Sequence, residues 1–142
     1  MKLIALSVVL GGCAASHPSP VAPSPDSTHA RVGCFDIDVA RAARLPKPVI
    51  SYRFSNVCSH EATAELARLD AVAVDPDGQW QPIAGNVKHY DRWSYRIDPH
   101  GTEVGERTYA SDGLAAGSKI CVDLGTADGD AAYAPRWTCV YY

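Results

Sequence analysis

The sequence has no long hydrophobic run, no excess of basic charge and no closely spaced cysteines. Its amino-terminal apolar stretch, Leu3 to Leu10, is far shorter than the ~20 residues of a transmembrane helix. The formal net charge is -3, so the chain lacks the basic footprint of nucleic-acid-binding proteins and no nucleic-acid partner is expected. Structural zinc sites usually draw their ligands from close pairs such as Cys-x-x-Cys, and the absence of such pairs argues against zinc.

Sequence signatures of catalysis are also missing. The chain contains neither Gly-x-Ser-x-Gly nor His-Glu-x-x-His, and it has no glycine-rich phosphate-binding loop. Ser94 and Ser111 have no neighbouring base that would activate them as nucleophiles. We therefore predict a protein that is not an enzyme and that uses no cofactor.

The chain begins with a short export signal. Lys2 supplies a positive charge, the apolar stretch follows, and it ends in Leu10-Gly11-Gly12-Cys13. These last four residues resemble the lipobox of bacterial lipoproteins, in which the cysteine is lipidated and becomes the first residue of the mature protein.

The resemblance implies cleavage after Gly12 and a lipid on Cys13, which would anchor the protein to a membrane without crossing it. By similarity to the sorting rules of Gram-negative bacteria, Ala14 after the lipidated cysteine favours the outer membrane. Residues 1 to 12 are therefore predicted to be a lipoprotein signal peptide. The alternative is ordinary signal cleavage near Ala14-Ala15, with Cys13 discarded or free.

Residues 13 to 30 are rich in proline and serine and contain almost no large apolar side chain. Such a composition cannot bury enough surface to offset the entropy of ordering, so we predict an extended, lipid-anchored tether. The remaining residues, 31 to 142, are enough for one folded domain.

Assigning Cys13 to lipid leaves an even number of cysteines, which in an exported chain indicates two disulfides. Four cysteines allow three pairings. Cys34 and Cys58 lie at equal distances in sequence from Pro46, which is in a proline turn. Cys121 and Cys139 lie at equal distances from Asp130, which is in an acidic loop. This is expected if each pair flanks a β-hairpin. This symmetry favours Cys34–Cys58 and Cys121–Cys139 over the crossed pairings.

Alternation of apolar and polar residues predicts β-strands throughout the domain. They are expected at 32–39, 49–58, 69–75, 79–83, 93–97, 103–109, 119–124 and 136–141. Turn sequences such as Asp75-Pro76-Asp77-Gly78 separate them. The segment from Ser59 to Leu69 fits a strand or a helix, and we favour a strand followed by one helical turn near Ala67.

Short strands at this spacing are typical of a β-sandwich. The segment from Leu114 to Val122 resembles the corner before strand F of fibronectin type III and immunoglobulin-like domains, although Ile120 and Cys121 stand where those families carry a tyrosine. The resemblance implies an all-β, immunoglobulin-like β-sandwich of about seven to eight strands.

The segment from Lys88 to Tyr95 concentrates Tyr, Trp and Arg, the residue types that dominate binding hot spots. We identify Tyr90, Arg92 and Trp93 as candidate binding residues. The alternative is that Trp93 and Tyr95 face the core. A second, weaker aromatic candidate comprises Trp137, Tyr141 and Tyr142.

Metal-ligating residue types are present but scattered. The domain's histidines and their acidic neighbours are His60 with Glu61, His89 with Asp91, and His100. Three separate loops would have to converge before these could form a metal site. The acidic loop carries Asp123, Asp128 and Asp130, but it lacks the EF-hand pattern for calcium. We therefore expect solvated loops and no metal.

Together these features predict an envelope lipoprotein that acts as a non-catalytic binding or structural module. Its partners would be the membrane, through the lipid anchor, and another envelope protein or a glycan. The alternative is a periplasmic inhibitor or immunity protein that blocks a secreted hydrolase.

Overall fold

Eleven β-strands and no helices make up the regular structure of the part of the chain that the computed structural model describes, residues 27–43, 47–87, 94–110 and 112–142. The strands are β1 (Ser27–Val32), β2 (Phe35–Ala43), β3 (Val49–Asn56), β4 (Ala62–Glu65), β5 (Ala71–Val74), β6 (Trp80–Pro82), β7 (Gly85–Val87), β8 (Ser94–Ile97), β9 (Thr102–Tyr109), β10 (Lys119–Asp123) and β11 (Trp137–Tyr141). The predicted all-β class is confirmed. Within these residues, no helix has the length and hydropathy needed to cross a membrane.

The strands form two main antiparallel sheets and a small ribbon. The larger sheet has the order β1-β2-β3-β9-β7, the smaller has the order β11-β10-β5-β6, and β4 pairs with β8. Without β1, the larger sheet follows the A-B-E-D order of immunoglobulin domains, and the smaller follows G-F-C with one added edge strand. The predicted immunoglobulin-like sandwich therefore describes eight of the strands, and β1, β4 and β8 are additions to it.

Alternating side chains of the two sheets fill the space between them. On β2 and β3 the buried residues include Phe35, Ile37, Val39, Ile50, Tyr52 and Phe54. The rings of Phe35 and Phe54 meet edge to face, with centroids 5.9 Å apart. Burying each large apolar side chain stabilises the fold by about 1.5–3 kcal/mol, so these alternating faces supply much of the folding free energy.

The amino-terminal end of the domain differs from the sequence prediction. β1 begins at Ser27, so residues 27 to 30 of the predicted tether belong to the larger sheet. A single strand from Val32 to Val39 was expected, which is wrong, because the chain reverses at Gly33, where φ is 53°. A glycine adopts this left-handed conformation without steric cost, and the following residues return as β2.

The segment after β3 forms the expected strand without the expected helix. β4 spans Ala62–Glu65, and the chain then makes a turn near Ala67 rather than a turn of helix. β7, of three residues, was not predicted from the sequence. So short a strand carries too little alternation to be detected.

Both expected disulfides are present, and both pairings are confirmed. Cys121 and Cys139 face each other across β10 and β11, with their Cα atoms 4.0 Å apart. Cys34 and Cys58 lie just beyond the paired ends of β2 and β3, with Cα atoms 5.2 Å apart. Each bridge therefore closes an antiparallel hairpin, as the symmetric spacing indicated.

Candidate binding groove

The sequence-based candidates are only partly placed by the structure. Cys13 and the group Tyr90, Arg92 and Trp93 lie outside the described residues, as do His89, Asp91 and Ser111. Tyr95 is half-buried and packs against the main core, which is what the alternative interpretation of its segment expected.

The second aromatic candidate is divided by the fold. Trp137 begins β11 and Tyr141 ends it, so the two side chains lie at opposite ends of the strand. The Lys119 ammonium lies 5.8 Å from the centre of the Tyr141 ring. Trp137 instead packs beside the buried Cys121–Cys139 bridge and lines a groove. These aromatics therefore do not form one patch.

That groove has a volume of about 550 Å³ and runs along the edge where the chain passes from one sheet to the other. β6 is the edge strand of the smaller sheet and β7 the edge strand of the larger one. The groove is lined by parts of segments 67–72 and 80–85 together with Arg107 and Trp137. Its volume is in the range of small-molecule binding sites, about 300–1,000 Å³.

Arg107 is the charged residue at the base of this groove. It points inward from β9, in phase with Tyr109, and is only 6% exposed. Its Nη1 donates to the Leu69 carbonyl at 2.5 Å and its Nη2 to the Gly85 carbonyl at 2.9 Å. Cζ lies 5.4 Å from the centre of the Tyr109 ring. The guanidinium is therefore held in place by two carbonyl groups and an aromatic face.

The positive charge of Arg107 has no negative partner among the described residues. None of the ion pairs seen between described residues involves Arg107, and the Arg107 Nε–H is buried with no hydrogen-bond acceptor in this part of the chain. Buried charges in proteins are normally paired, because removing a charge from water is costly. Arg107 is thus a buried cation with an unused donor.

The neighbouring tyrosines do not supply the missing negative charge. The hydroxyls of Tyr52 and Tyr109 are hydrogen-bonded to each other at 2.5 Å, and both side chains are fully buried. Burial raises the pKa of Tyr52 well above its usual value. Burial also raises the pKa of Tyr109, although the adjacent Arg107 opposes this shift. Both phenols are therefore neutral at physiological pH.

Gly85 permits the close packing around Arg107. A Cβ atom at this position would lie 2.6 Å from the Tyr109 ring and 3.0 Å from Arg107 Cζ. Only glycine lets the backbone of β7 approach closely enough for its carbonyl to accept a hydrogen bond from Arg107. The hydrogen bond from Arg107 to the Gly85 carbonyl at the sheet edge therefore depends on the glycine.

Two tryptophans complete the groove. Trp80, on β6, is 45% exposed and offers its indole surface to solvent. The Nε1–H of Trp137 is buried and finds no acceptor among the described residues. Trp80 also borders a smaller pocket of about 260 Å³. That pocket is lined by Ser118, whose buried hydroxyl likewise has no partner in the described part.

The other polar clusters have structural roles. His60 Nε2 lies 3.7 Å from Cys34 Sγ, but Cys34 is bonded to Cys58 and so offers no thiolate for metal binding. In the acidic loop, Asp123 Oδ1 accepts the backbone N–H groups of Gly125 and Arg136 at 2.8 and 2.7 Å.

The remaining acidic side chains brace the same loop. Asp128 Oδ2 accepts the Cys34 N–H at 3.2 Å, and Asp128 Oδ1 accepts the Asp130 N–H at 3.0 Å. Asp130 Oδ2 accepts the Thr63 N–H at 3.4 Å. The aspartates therefore tie the loop to itself and to the disulfide turn.

Sequence reasoning missed Arg107 although a signal was present. The segment 103–109 was predicted only as a more polar strand. Alternation places Arg107 in phase with Tyr109, and a charged residue on the aromatic face of a strand is unusual enough to mark an inward-facing cation.

Comparison with known proteins shows a similarity of fold and no match by sequence. No protein-family model matches the sequence, and no curated protein matches it. The crystal structure of the yjhA protein from Bacillus subtilis is similar, with a TM-score of 0.56 over 80% of this chain and 96% of that chain. The two sequences are 10% identical. The similarity therefore concerns the sandwich fold and carries no residue roles.

Proposed function

We propose that this protein is a membrane-anchored lipoprotein of the bacterial cell envelope that acts as a non-catalytic binding module. The observation that carries the binding role is the buried, unpaired guanidinium of Arg107 at the base of an open groove. A positive charge fixed in place before a ligand arrives costs little further ordering when the ligand binds.

The envelope location is supported by sequence and structure together. Leu10-Gly11-Gly12-Cys13 supplies the lipobox, and Ala14 favours the outer membrane, with the domain facing the periplasm or the cell surface. Two disulfides, Cys34–Cys58 and Cys121–Cys139, are compatible with an oxidising compartment.

The groove is suited to binding rather than to catalysis. Its lining combines apolar side chains, two indoles and one guanidinium, and Asp70 is the carboxylate among its described lining residues. General acid–base or nucleophilic catalysis needs a nucleophile and a base within hydrogen-bond reach of each other. The described lining offers donors and aromatic surface instead, which is the chemistry of recognition.

The anchoring is tested by expressing the full chain with a labelled fatty acid in a Gram-negative host. We expect the wild type to carry the label, to start at Cys13 and to fractionate with the outer membrane. The Cys13→Ala variant should carry no label. An unlabelled wild-type chain that retains residues 1 to 12 would refute the anchor.

The binding role is tested with the mature protein in detergent, incubated with the detergent-insoluble fraction of the envelope, into which the lipid cannot insert, and sedimented. We expect the wild type to sediment with the envelope and Trp80→Ala to stay largely in the supernatant. Val104→Ala is the matched control, because Val104 is also exposed but is not among the residues of the groove. Equal sedimentation of the wild type with and without envelope material would refute the binding role.

A further inference from the structure

We propose that the groove binds an acidic sugar, whose carboxylate pairs with Arg107 and whose ring packs on Trp80. This inference rests on the proposed binding function and names the class of ligand. It starts from two buried donors that have no acceptor among the described residues, Arg107 Nε and Trp137 Nε1, which belong to residues that line the same groove.

The available donors fit a carboxylate. A guanidinium has five N–H donors in a planar fork, and the Leu69 and Gly85 carbonyls each take one. The Nε–H of Arg107 remains as a donor with no acceptor among the described residues, and a ligand carboxylate is an acceptor of the opposite charge. The indole N–H of Trp137 is a further donor for a ligand oxygen.

The charge of the groove favours one negative charge over two. Arg107 contributes a single positive charge, and the Asp70 side chain lines the same groove with a negative one. A phosphate group near neutral pH carries more than one negative charge, so its second charge would meet repulsion without compensation. A carboxylate adds only one negative charge to a groove that already contains Asp70.

The aromatic surface favours a sugar ring. Trp80 is 45% exposed on the edge strand β6, and an exposed indole is a large, rigid contact surface at low entropic cost. Trp80 borders both the groove and the smaller pocket that contains Ser118. A ligand seated on Trp80 can therefore extend into the second pocket, as a chain of two or more sugars would.

An extended peptide fits this edge less well. A peptide that adds to a sheet needs a continuous row of backbone N–H and C=O groups. β6 has three residues and ends in Pro82, which has no N–H. The structure therefore favours recognition through side chains. The experiment must distinguish a peptide carboxylate from the carboxylate of a sugar.

The test is calorimetric titration of the mature protein in detergent with two acidic probes, a glucuronate disaccharide and a disaccharide containing N-acetylmuramic acid. The two probes separate a uronic-acid source from a cell-wall source of the same chemistry. Each is paired with its methyl ester, which keeps the sugar and removes the charge. We expect at least one acid to bind, and its ester to bind at least tenfold more weakly.

Variants assign the contacts. Trp137→Phe keeps the aromatic bulk, removes the donor and should weaken binding several-fold. Trp80→Ala alters an exposed side chain and should abolish measurable binding. Arg107→Lys keeps the charge and loses the fork, and should weaken binding at least tenfold. Melting curves identify any variant that fails to fold, and Val104→Ala should bind like the wild type.

Three results would overturn the inference. Equal binding of acid and ester would remove the role of the charge. A short peptide with a free carboxylate is titrated in parallel, and its binding without binding of either sugar would replace the ligand class. If the wild type sediments with envelope material but binds neither sugar, the ligand assignment fails while the binding function stands. Absence of envelope binding as well would refute the proposed function itself.

Discussion

The two disulfides differ in exposure, and we expect a mild thiol reductant to open them in a fixed order. Cys121 and Cys139 are 0% and 2% exposed, and Trp137 packs against them. Cys34 and Cys58 are half-buried at one end of the larger sheet. Because exchange requires a thiolate to reach a disulfide sulfur, Cys34–Cys58 should be reduced in the folded protein while Cys121–Cys139 stays intact.

Chain entropy alone would not produce this order. The bridges span sequence separations of 24 and 18 residues, and the loop-closure relation assigns about 3.4 and 3.2 kcal/mol to them. A difference of about 0.2 kcal/mol is too small to decide which bridge opens first. Losing Cys34–Cys58 should nevertheless lower the Tm by roughly 10–15 °C in a domain of this size.

The assay treats the native protein with increasing reductant below the Tm, alkylates the free thiols and identifies the labelled peptides by mass spectrometry. Labels on Cys34 and Cys58 should come first. The double variant Cys34→Ser/Cys58→Ser is the control and should show the lowered Tm without reductant. If Cys121 and Cys139 were labelled first, or all four together, exposure would not be what protects the second bridge.

Three further predictions concern the glycine turn, the acidic loop and the buried tyrosines. Gly33→Ala would place a Cβ 2.0 Å from Asp128 Oδ2. Gly78→Ala has open space around it and costs only the strain of the left-handed backbone conformation, about 1–2 kcal/mol. Urea unfolding should therefore show a larger loss of unfolding free energy for Gly33→Ala than for Gly78→Ala. Equal losses would show that the Asp128 contact is not rigid. Asp128→Ala leaves the N–H of the disulfide turn unpaired and should cost about 1–3 kcal/mol in the same assay; a wild-type midpoint would contradict this. Burial raises the pKa of both Tyr52 and Tyr109 in the folded state, so the unfolded chain ionises first. The contribution of these two tyrosines to stability should be constant below pH ~10 and then fall by about 1.4 kcal/mol per pH unit for each. Tyr52→Phe should make the alkaline fall shallower in denaturant titrations, and an unchanged slope would assign the alkaline loss to other groups.

The strands of the sandwich could be predicted because their signal is local. Phe35, Ile37 and Val39 alternate with polar residues, and a period of two residues fixes which side chains face the core. The disulfide pairing was equally accessible, because in each hairpin the two cysteines lie at matching distances from the turn.

The turn at Gly33 was not predictable on the same basis. Only Ala30 and Val32 precede the turn as buried apolar residues, at positions out of phase with Phe35, Ile37 and Val39, and two residues are too few to define an alternating pattern. The turn is also held by a long-range contact, in which Asp128 accepts the Cys34 N–H. No local pattern predicts that contact.

The groove could not be predicted because its lining comes from four separate segments. Leu69, Trp80, Arg107 and Trp137 lie far apart in sequence, and they meet only because β6 and β7 carry the chain from one sheet to the other. The strand pattern alone could place Arg107 on the inward face of β9. Its role, however, depends on which carbonyl groups accept its hydrogen bonds. Those carbonyls belong to residues with no distinguishing side chain.

The hydrogen bonds of Arg107 help to distinguish a structural role from a binding role for its guanidinium. Joining the Leu69 and Gly85 carbonyls needs only the two Nη groups, and a neutral donor could do this without the desolvation cost of a charge. A structural role accounts for the charge through the Tyr109 ring but leaves the Nε–H without an acceptor among the described residues. A ligand carboxylate would supply that acceptor. The proposal predicts that binding an acid should raise the Tm of the wild type by more than that of Arg107→Lys, since a ligand that binds more tightly stabilises the folded state more.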